Sequence, residues 1–243
     1  MEEKACFGKP EGKAGEELLD SMDRGHTPVS LWSLSNLEIE AADVTLDIGC
    51  GSGLNVKRLF ERSPRAKSYG LDYSATSVKK SVMMNQENVD RGNIEIVEAS
   101  VIDMPFDDES FDIITAFETV YFWPDIVDSF REVGRVLKSD GKFFIVMDAN
   151  GCYTPELEKI TKDEDCVFYT DDELKSLLLA AGFKSITSII RKRKLNQKII
   201  KKYTCNVHVE ELIDDDYPDD TYSELTEDGF PNSPEWYCII AQK

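Results

Sequence analysis

The sequence predicts an α/β protein built on a doubly wound, mostly parallel sheet of seven strands. From residue 44 onward, short runs rich in β-branched and aromatic residues alternate with longer amphipathic stretches. A glycine-rich turn at residues 49–53 follows the first of those runs, and no repeat or low-complexity linker divides the chain. Strands that alternate with helices pair in parallel and bind ligands beyond their carboxyl ends.

The first half of the pattern carries clear local signals. Ser74 is a predicted helix N-cap. The run at 111–117 is apolar almost throughout, which indicates a central strand. We predict strands at 44–48, 67–71, 94–98 and 111–117, and helices at 54–62 and 75–88.

In the second half, apolar residues at helical spacing predict a helix over 127–137, followed by a turn at 139–141. Thr170 is the predicted N-cap of a later helix, and Gly182 its stop. The remaining predicted elements are a strand at 142–147, a helix at 171–181 and strands at 183–191 and 237–242.

Two regions depart from this alternation. Residues 1–43 predict an N-terminal helical cover over the ligand crevice, and residues 44–243 predict one structural unit with an insertion at about 192–234. Within the insertion, residues 207–228 contain ten Asp or Glu and no Lys or Arg. Beside the basic stretch 184–203, this block indicates solvated faces that attract each other, with a protein-binding segment as the alternative.

The composition excludes several classes of protein. The 243 residues carry 47 Asp and Glu against 28 Lys and Arg, a net charge of −19, which disfavours nucleic acid and anionic membranes as partners. Neither a membrane span nor a secretory leader is visible, so we expect a cytoplasmic protein. Six cysteines without a C-x-x-C pair and two histidines predict reduced thiols and no metal site.

The glycine turn is the central signal. Gly49, Gly51 and Gly53 let the backbone turn tightly after the first strand and approach a ligand closely. Asp72 ends the second predicted strand, where a carboxylate can accept hydrogen bonds from both hydroxyls of a ribose.

Two cofactor classes fit such a turn. Nicotinamide dinucleotides prefer G-x-G-x-x-G/A, and Leu54 stands here at the third small position. Asp47, two residues before the turn, would repel a pyrophosphate but attract an ammonium or a sulfonium. These two residues favour a methionine-type ligand over a dinucleotide.

Over roughly residues 40–190 the chain resembles the class I S-adenosylmethionine-dependent methyltransferases, of the small-molecule type often grouped by a methyltransferase-11 domain. The resemblance implies a Rossmann-like methyltransferase fold, S-adenosyl-L-methionine as cofactor and S-adenosyl-L-homocysteine as product. The segments that carry it are 46–53, 70–74, 100–106, 110–114, 130–138, 140–142, 169–174 and 181–183.

The resemblance also implies roles for individual residues. Many relatives have Asp where this chain has Ser100, so a charged contact with the adenine amino group is in question. Nearby Asp103 is the alternative, unless it only caps the turn before Pro105. The implied roles are the loop beneath the methionine part for Gly49, Gly51 and Gly53, the amino group for Asp47 and the backbone near Phe117, the ribose for Asp72, and the adenine for Tyr73, Ser100 and Val101.

Methyl transfer from a sulfonium rests mainly on positioning and on the exclusion of water, so the sequence identifies no catalytic residue. Polar and aromatic candidates for the acceptor pocket lie in the N-terminal segment and after the fourth strand. For Trp32 the alternative is packing within the cover, and for His26 it is orientation of the N-terminal segment. The candidates are His26, Trp32, Tyr121 and Trp123.

The favoured function is methyl transfer to a small-molecule acceptor by in-line displacement, and a homodimer is compatible with it. The alternative is a methyltransferase-like cofactor-binding or regulatory module that engages a basic protein through the acidic insertion. A nicotinamide dehydrogenase is disfavoured by Leu54 and Asp47.

Overall fold

The computed structural model describes residues 6–148, 161–162, 166–192 and 235–243. Seven strands in these residues form one sheet, which confirms the predicted fold class. The strands are β1 Thr45–Ile48, β2 Ser68–Asp72, β3 Ile94–Glu98, β4 Phe111–Phe117, β5 Leu137–Met147, β6 Ser185–Lys192 and β7 Glu235–Gln242.

The strand order is β3-β2-β1-β4-β5-β7-β6. The first five strands in the chain pair in parallel, and β7 is antiparallel to both β5 and β6. The order reverses between β1 and β4, where the carboxyl ends of a parallel sheet leave a crevice. The glycine turn after β1 therefore lies at the switch point.

Helices flank the sheet. The 75–88 stretch forms two helices rather than the single one predicted, because Asn85 ends the first and begins the second. The Nδ2 of Asn85 donates to the carbonyls of Ser81 and Gly53, which fixes this break. The helices are α1 Gly12–Ser35, α2 Leu54–Arg62, α3 Ala75–Met84, α4 Gln86–Asp90, α5 Ile126–Val136 and α6 Asp171–Ala181.

Both faces of β4 and β5 are buried. On one face, apolar side chains of α5 and α6 pack with Ile114 and Phe143. On the other, α1 packs through Val29 and Trp32 against Phe144 and the first residues of β7. The rings of Trp32 and Trp236 lie 5.8 Å apart. Helix α1 is therefore anchored to the sheet near the end that carries the crevice.

The predicted turn at 139–141 is wrong, because β5 already begins at Leu137. The register between β4 and β5 shifts at this point, as in a bulge. The carboxylate of Asp112 accepts hydrogen bonds from Lys138 Nζ and from the Val44 N–H, each at 2.8 Å. These bonds tie the irregular start of β5 to its neighbours, so Asp112 is a fold residue.

Helix α6 has the predicted ends. Thr170 and Glu173 form a reciprocal capping box, and Gly182 ends the helix with φ +105°. The insertion predicted at about 192–234 falls between β6 and β7, and 193–234, with the acidic block 207–228, lie outside the described residues. None of the described helices combines the length and apolar character needed to cross a membrane.

Candidate active site

A cavity of about 360 Å³ lies at the carboxyl ends of β1, β2 and β4, beneath α1 and residues 7–10. Its volume falls within the range of small-molecule sites. Ten of the thirteen predicted site residues line it: His26, Asp47, Gly49, Gly51, Asp72, Tyr73, Ser100, Val101, Phe117 and Trp123.

The first two glycines of the turn form part of the cavity wall. Gly49 has φ +71° and Gly51 φ +53°, a left-handed backbone that other residues rarely adopt. A Cβ on Gly49 would also lie 2.8 Å from the Thr119 Cβ and collide with its hydroxyl. The turn thus needs glycine at 49 both for its backbone angle and for the close approach of Thr119.

Gly53 has a different role. It precedes α2 with φ +84° and does not line the cavity. A Cβ there would lie 2.6 Å from Asn85 Nδ2 and collide with the Ser81 hydroxyl. The third glycine therefore allows α2 and α3 to pack closely.

Asp72 is a buried carboxylate held by backbone donors. Its Oδ2 accepts from the Gly51 N–H and its Oδ1 from the Ser74 N–H, both at 2.9 Å. Burial raises the pKa of Asp72, and these bonds oppose that shift. A carboxylate has about four acceptor positions, so Asp72 can still accept a hydrogen bond from a ligand hydroxyl. The neighbouring Tyr73 donates its hydroxyl to the Gly8 carbonyl.

Asp47 is a second buried carboxylate in the same wall, 2% exposed. It accepts a hydrogen bond from the Thr115 hydroxyl at 2.7 Å. Burial raises its pKa to about 7, and the charge of Asp72 acts in the same direction. A cationic ligand group would stabilise both carboxylates, so this pair fits the ammonium and ribose of S-adenosylmethionine and opposes a pyrophosphate.

Hydrogen bonds connect α1 to the glycine turn and to α2. Ser52 donates to Asp23 at 2.7 Å, and Arg58 donates to the Thr27 hydroxyl at 3.0 Å. Asp23 and Arg58 line the cavity but were missed from the sequence. The sequence shows that Asp23 lies near His26 and that Arg58 lies near Asn55. It does not show these two hydrogen bonds, because each joins residues about thirty positions apart.

Beyond the methionine end of the turn, three ionisable groups meet. Glu118 follows β4 with φ +54°, and its oxygens accept from the Tyr121 hydroxyl at 2.6 Å and the Asp148 N–H at 2.5 Å. Burial, and then the charge of Asp148, raise the pKa of Glu118 well above its usual value. Ligand-type atoms of His26, Glu118 and Asp148 all lie within 4.8 Å of one another. The absence of a metal site stays a prediction.

Besides Gly53, three candidates lie away from the cavity wall. Tyr121 sits behind Glu118, with its ring 4.6 Å from that of Phe168. Trp32 packs in the core beside Trp236, and Asp103 is exposed outside the cavity. Trp123 does line the cavity, with its Nε1 donating to the Thr119 hydroxyl at 3.3 Å.

Comparison with known proteins agrees with this geometry. Residues 46–145 match a family model described as a methyltransferase domain. YrhH of Bacillus subtilis, which carries the name of a methyltransferase, is 32% identical over 126 residues, or 52% of this chain and 67% of that protein. The chain is a class I methyltransferase. Its cofactor is therefore S-adenosyl-L-methionine, which supplies a methyl group on a sulfonium.

Two further proteins are similar to this chain, one in sequence and one in fold. A 2-phytyl-1,4-naphtoquinone methyltransferase of Trichormus variabilis is 36% identical over 105 residues, 43% of this chain and 46% of that enzyme. The chain thus spans about half the length of that relative. Phosphoethanolamine N-methyltransferase 2 of Haemonchus contortus shares the fold, with TM-score 0.71, 14% identity and coverage of 96% of this chain and 58% of that one.

Proposed function

We propose that this methyltransferase acts on a small-molecule acceptor bound in the cavity beneath α1. The observation that carries the proposal is the single cavity that runs from the Asp72 carboxylate to Trp123. The cover formed by α1 and residues 7–10 encloses a cavity of small-molecule size, which cofactor and acceptor would share. A relative whose name specifies a quinone substrate supports this class of acceptor.

Within that cavity we assign the cofactor to the switch point. Asp72 would hold the ribose hydroxyls, and Asp47 with the backbone at Phe117 would face the ammonium. Tyr73, Ser100 and Val101 would surround the adenine. The two buried carboxylates support this orientation, because the cationic part of the cofactor would then lie next to the more deeply buried Asp47.

The cover would contribute by excluding water and orienting the acceptor. The Ser52–Asp23 bond ties α1 to the loop that would cradle the cofactor. Orientation of two reactants and removal of water account for much of the rate in such displacements. We therefore propose that residues 1–43 complete the site on the unit formed by 44–243.

Isothermal titration of the full chain with S-adenosyl-L-homocysteine tests the cofactor assignment. We expect one site per chain and no heat from NAD at the same concentration. If S-adenosyl-L-homocysteine does not bind, the proposal is contradicted. The acceptor class is then tested by transfer of a labelled methyl group to fractionated small metabolites, compared with protein and RNA fractions.

The regulatory module is not favoured. Its carrying feature, the acidic block 207–228, lies outside the described residues. The described residues instead form one cavity with the glycine turn, Asp47 and Asp72 in its wall, which supports an enzyme.

A further inference from the structure

The cavity has an excess of negative charge. Four carboxylates line it, from Asp23, Asp47, Asp72 and Glu118, whereas Arg58 is the one Lys or Arg among its lining residues. Four carboxyl groups against one guanidinium make the cavity more favourable for a cationic ligand than for an anionic one.

One of these four carboxyl groups, that of Glu118, lies at the end assigned to the acceptor. Thr119 contacts Gly49, so the adjacent Glu118 lies beside the methionine end of the turn. Glu118 is 8% exposed and lines the cavity. The carboxyl group of Asp148 lies close to that of Glu118. Two negative charges at this buried position are favourable only when a proton or another cation lies between them.

Aromatic side chains complete the same end. Phe7, Phe122 and Trp123 line the cavity, and Gly8 packs so closely on Phe122 that a Cβ there would lie 2.8 Å from the ring. Aromatic faces beside carboxylates form favourable surroundings for an organic cation. A small hydrated anion would be opposed by both.

We propose that the acceptor is an amine, that its protonated nitrogen binds at Glu118 against the aromatic wall, and that this nitrogen receives the methyl group. The inference rests on the proposed function and names its substrate class. It assigns Glu118 a direct contact with the substrate, whereas Asp148 and Tyr121 act as positioning residues through their hydrogen bonds to Glu118.

From this contact, methyl transfer to the nitrogen takes two steps. The ammonium first gives one proton to the Glu118 carboxylate, which frees the nitrogen lone pair. The nitrogen then attacks the methyl carbon, and the carbon–nitrogen bond forms as the carbon–sulfur bond breaks with its electron pair returning to sulfur. The products are a methylated ammonium and a neutral thioether.

The test uses the full chain saturated with S-adenosyl-L-homocysteine. A panel of small alkyl and arylalkyl amines is titrated beside the alcohols of the same carbon skeleton, and Mg²⁺ and Zn²⁺ are titrated alone. Glu118→Gln, which keeps the shape of the side chain, is compared with Glu87→Gln on α4, where the side chain is 74% exposed. The affinity of each variant for S-adenosyl-L-homocysteine reports folding and the cofactor site.

We expect at least one amine to bind, with its alcohol counterpart at least about tenfold weaker. Glu118→Gln should weaken binding of that amine by about tenfold or more and leave the affinity for S-adenosyl-L-homocysteine within about twofold. Glu87→Gln should change neither affinity. Equal binding of amines and alcohols, no amine binding at all, or binding of a divalent cation only would overturn the inference. If the wild-type chain does not bind S-adenosyl-L-homocysteine, the proposed function itself is contradicted.

Discussion

The carboxylate of Asp72, at the end of β2, accepts a hydrogen bond at 2.9 Å from the backbone N–H of Gly51 in the turn after β1. The residue assigned to the ribose thus also holds the loop assigned to the methionine part. Changes at either residue should affect both ends of the bound cofactor.

Asp72→Ala should weaken S-adenosyl-L-homocysteine by at least about tenfold, because each hydrogen bond to a charged acceptor contributes about 1.5–3 kcal/mol. Isothermal titration measures the dissociation constant. Asp107→Ala, an exposed aspartate before β4, is the matched control and should bind normally. An unchanged constant for Asp72→Ala would refute the ribose assignment.

Gly49→Ala should destabilise the fold more than Gly92→Ala. Both glycines have a left-handed backbone, at φ +71° and +75°, which costs alanine about 1–2 kcal/mol. Only at Gly49 does the added methyl group collide with Thr119, since Gly92 has nothing within 4 Å. Urea unfolding of the two variants gives the difference in their free energies of unfolding. Equal losses of free energy would show that Thr119 moves aside without cost.

Binding of S-adenosyl-L-homocysteine at pH 6 should release protons. The folded pKa of Asp47 is raised to about 7 from an ordinary 3.8, so the folded chain holds this proton at pH 6 and its stability falls as the pH rises from about 4 to 7. A ligand ammonium beside Asp47 lowers that pKa again and expels up to about one proton.

Titration at pH 6 in two buffers of different ionisation enthalpy measures this release. Asp47→Asn should abolish most of it, because the amide does not titrate. A variant that releases as many protons as the wild type would assign the effect to another group.

Ser52→Ala should weaken S-adenosyl-L-homocysteine by roughly three- to tenfold, since it removes the bond from the glycine turn to Asp23 of α1. The control Ser176→Ala removes a comparable hydroxyl from the exposed face of α6. If Ser52→Ala binds as the wild type does, α1 contributes nothing to cofactor binding through this bond.

Thr170→Ala should lower the free energy of unfolding by about 0.5–2 kcal/mol, because it removes one half of the capping box of α6. Thr170→Ser keeps the hydroxyl and should lose much less. Cofactor affinity should stay the same in both, since α6 lies on the face of the sheet opposite α1.

Local signals predicted much of the fold. Thr170 and Gly182 marked the ends of α6, and the apolar run at Phe111–Phe117 was recognised as the central strand. The start of β5 was missed because Asp112 holds it through a bond to Lys138, twenty-six residues away. The position of β7 between β5 and β6 likewise depends on strand pairing that no local pattern encodes.

The candidate site divides in the same way. Asp47 and Asp72 were identified because each stands at a fixed distance from a glycine turn. The meeting of Glu118 with Asp148 and His26 was not, because it depends on β4 and β5 being neighbours and on α1 crossing above them. Sequence spacing encodes contacts within one βα unit, whereas the acceptor end is assembled from three separate elements.

The chain leaves the sheet at Lys192 and re-enters it at Glu235, and these two residues are direct partners in the β6–β7 ladder. Because exit and return coincide, the connection between them can grow or shrink during evolution without moving a strand. In general, each doubling of the length of a loop adds only roughly 0.6 kcal/mol to the free-energy cost of closing it. A short designed hairpin turn in place of 193–234 should therefore leave the sheet intact.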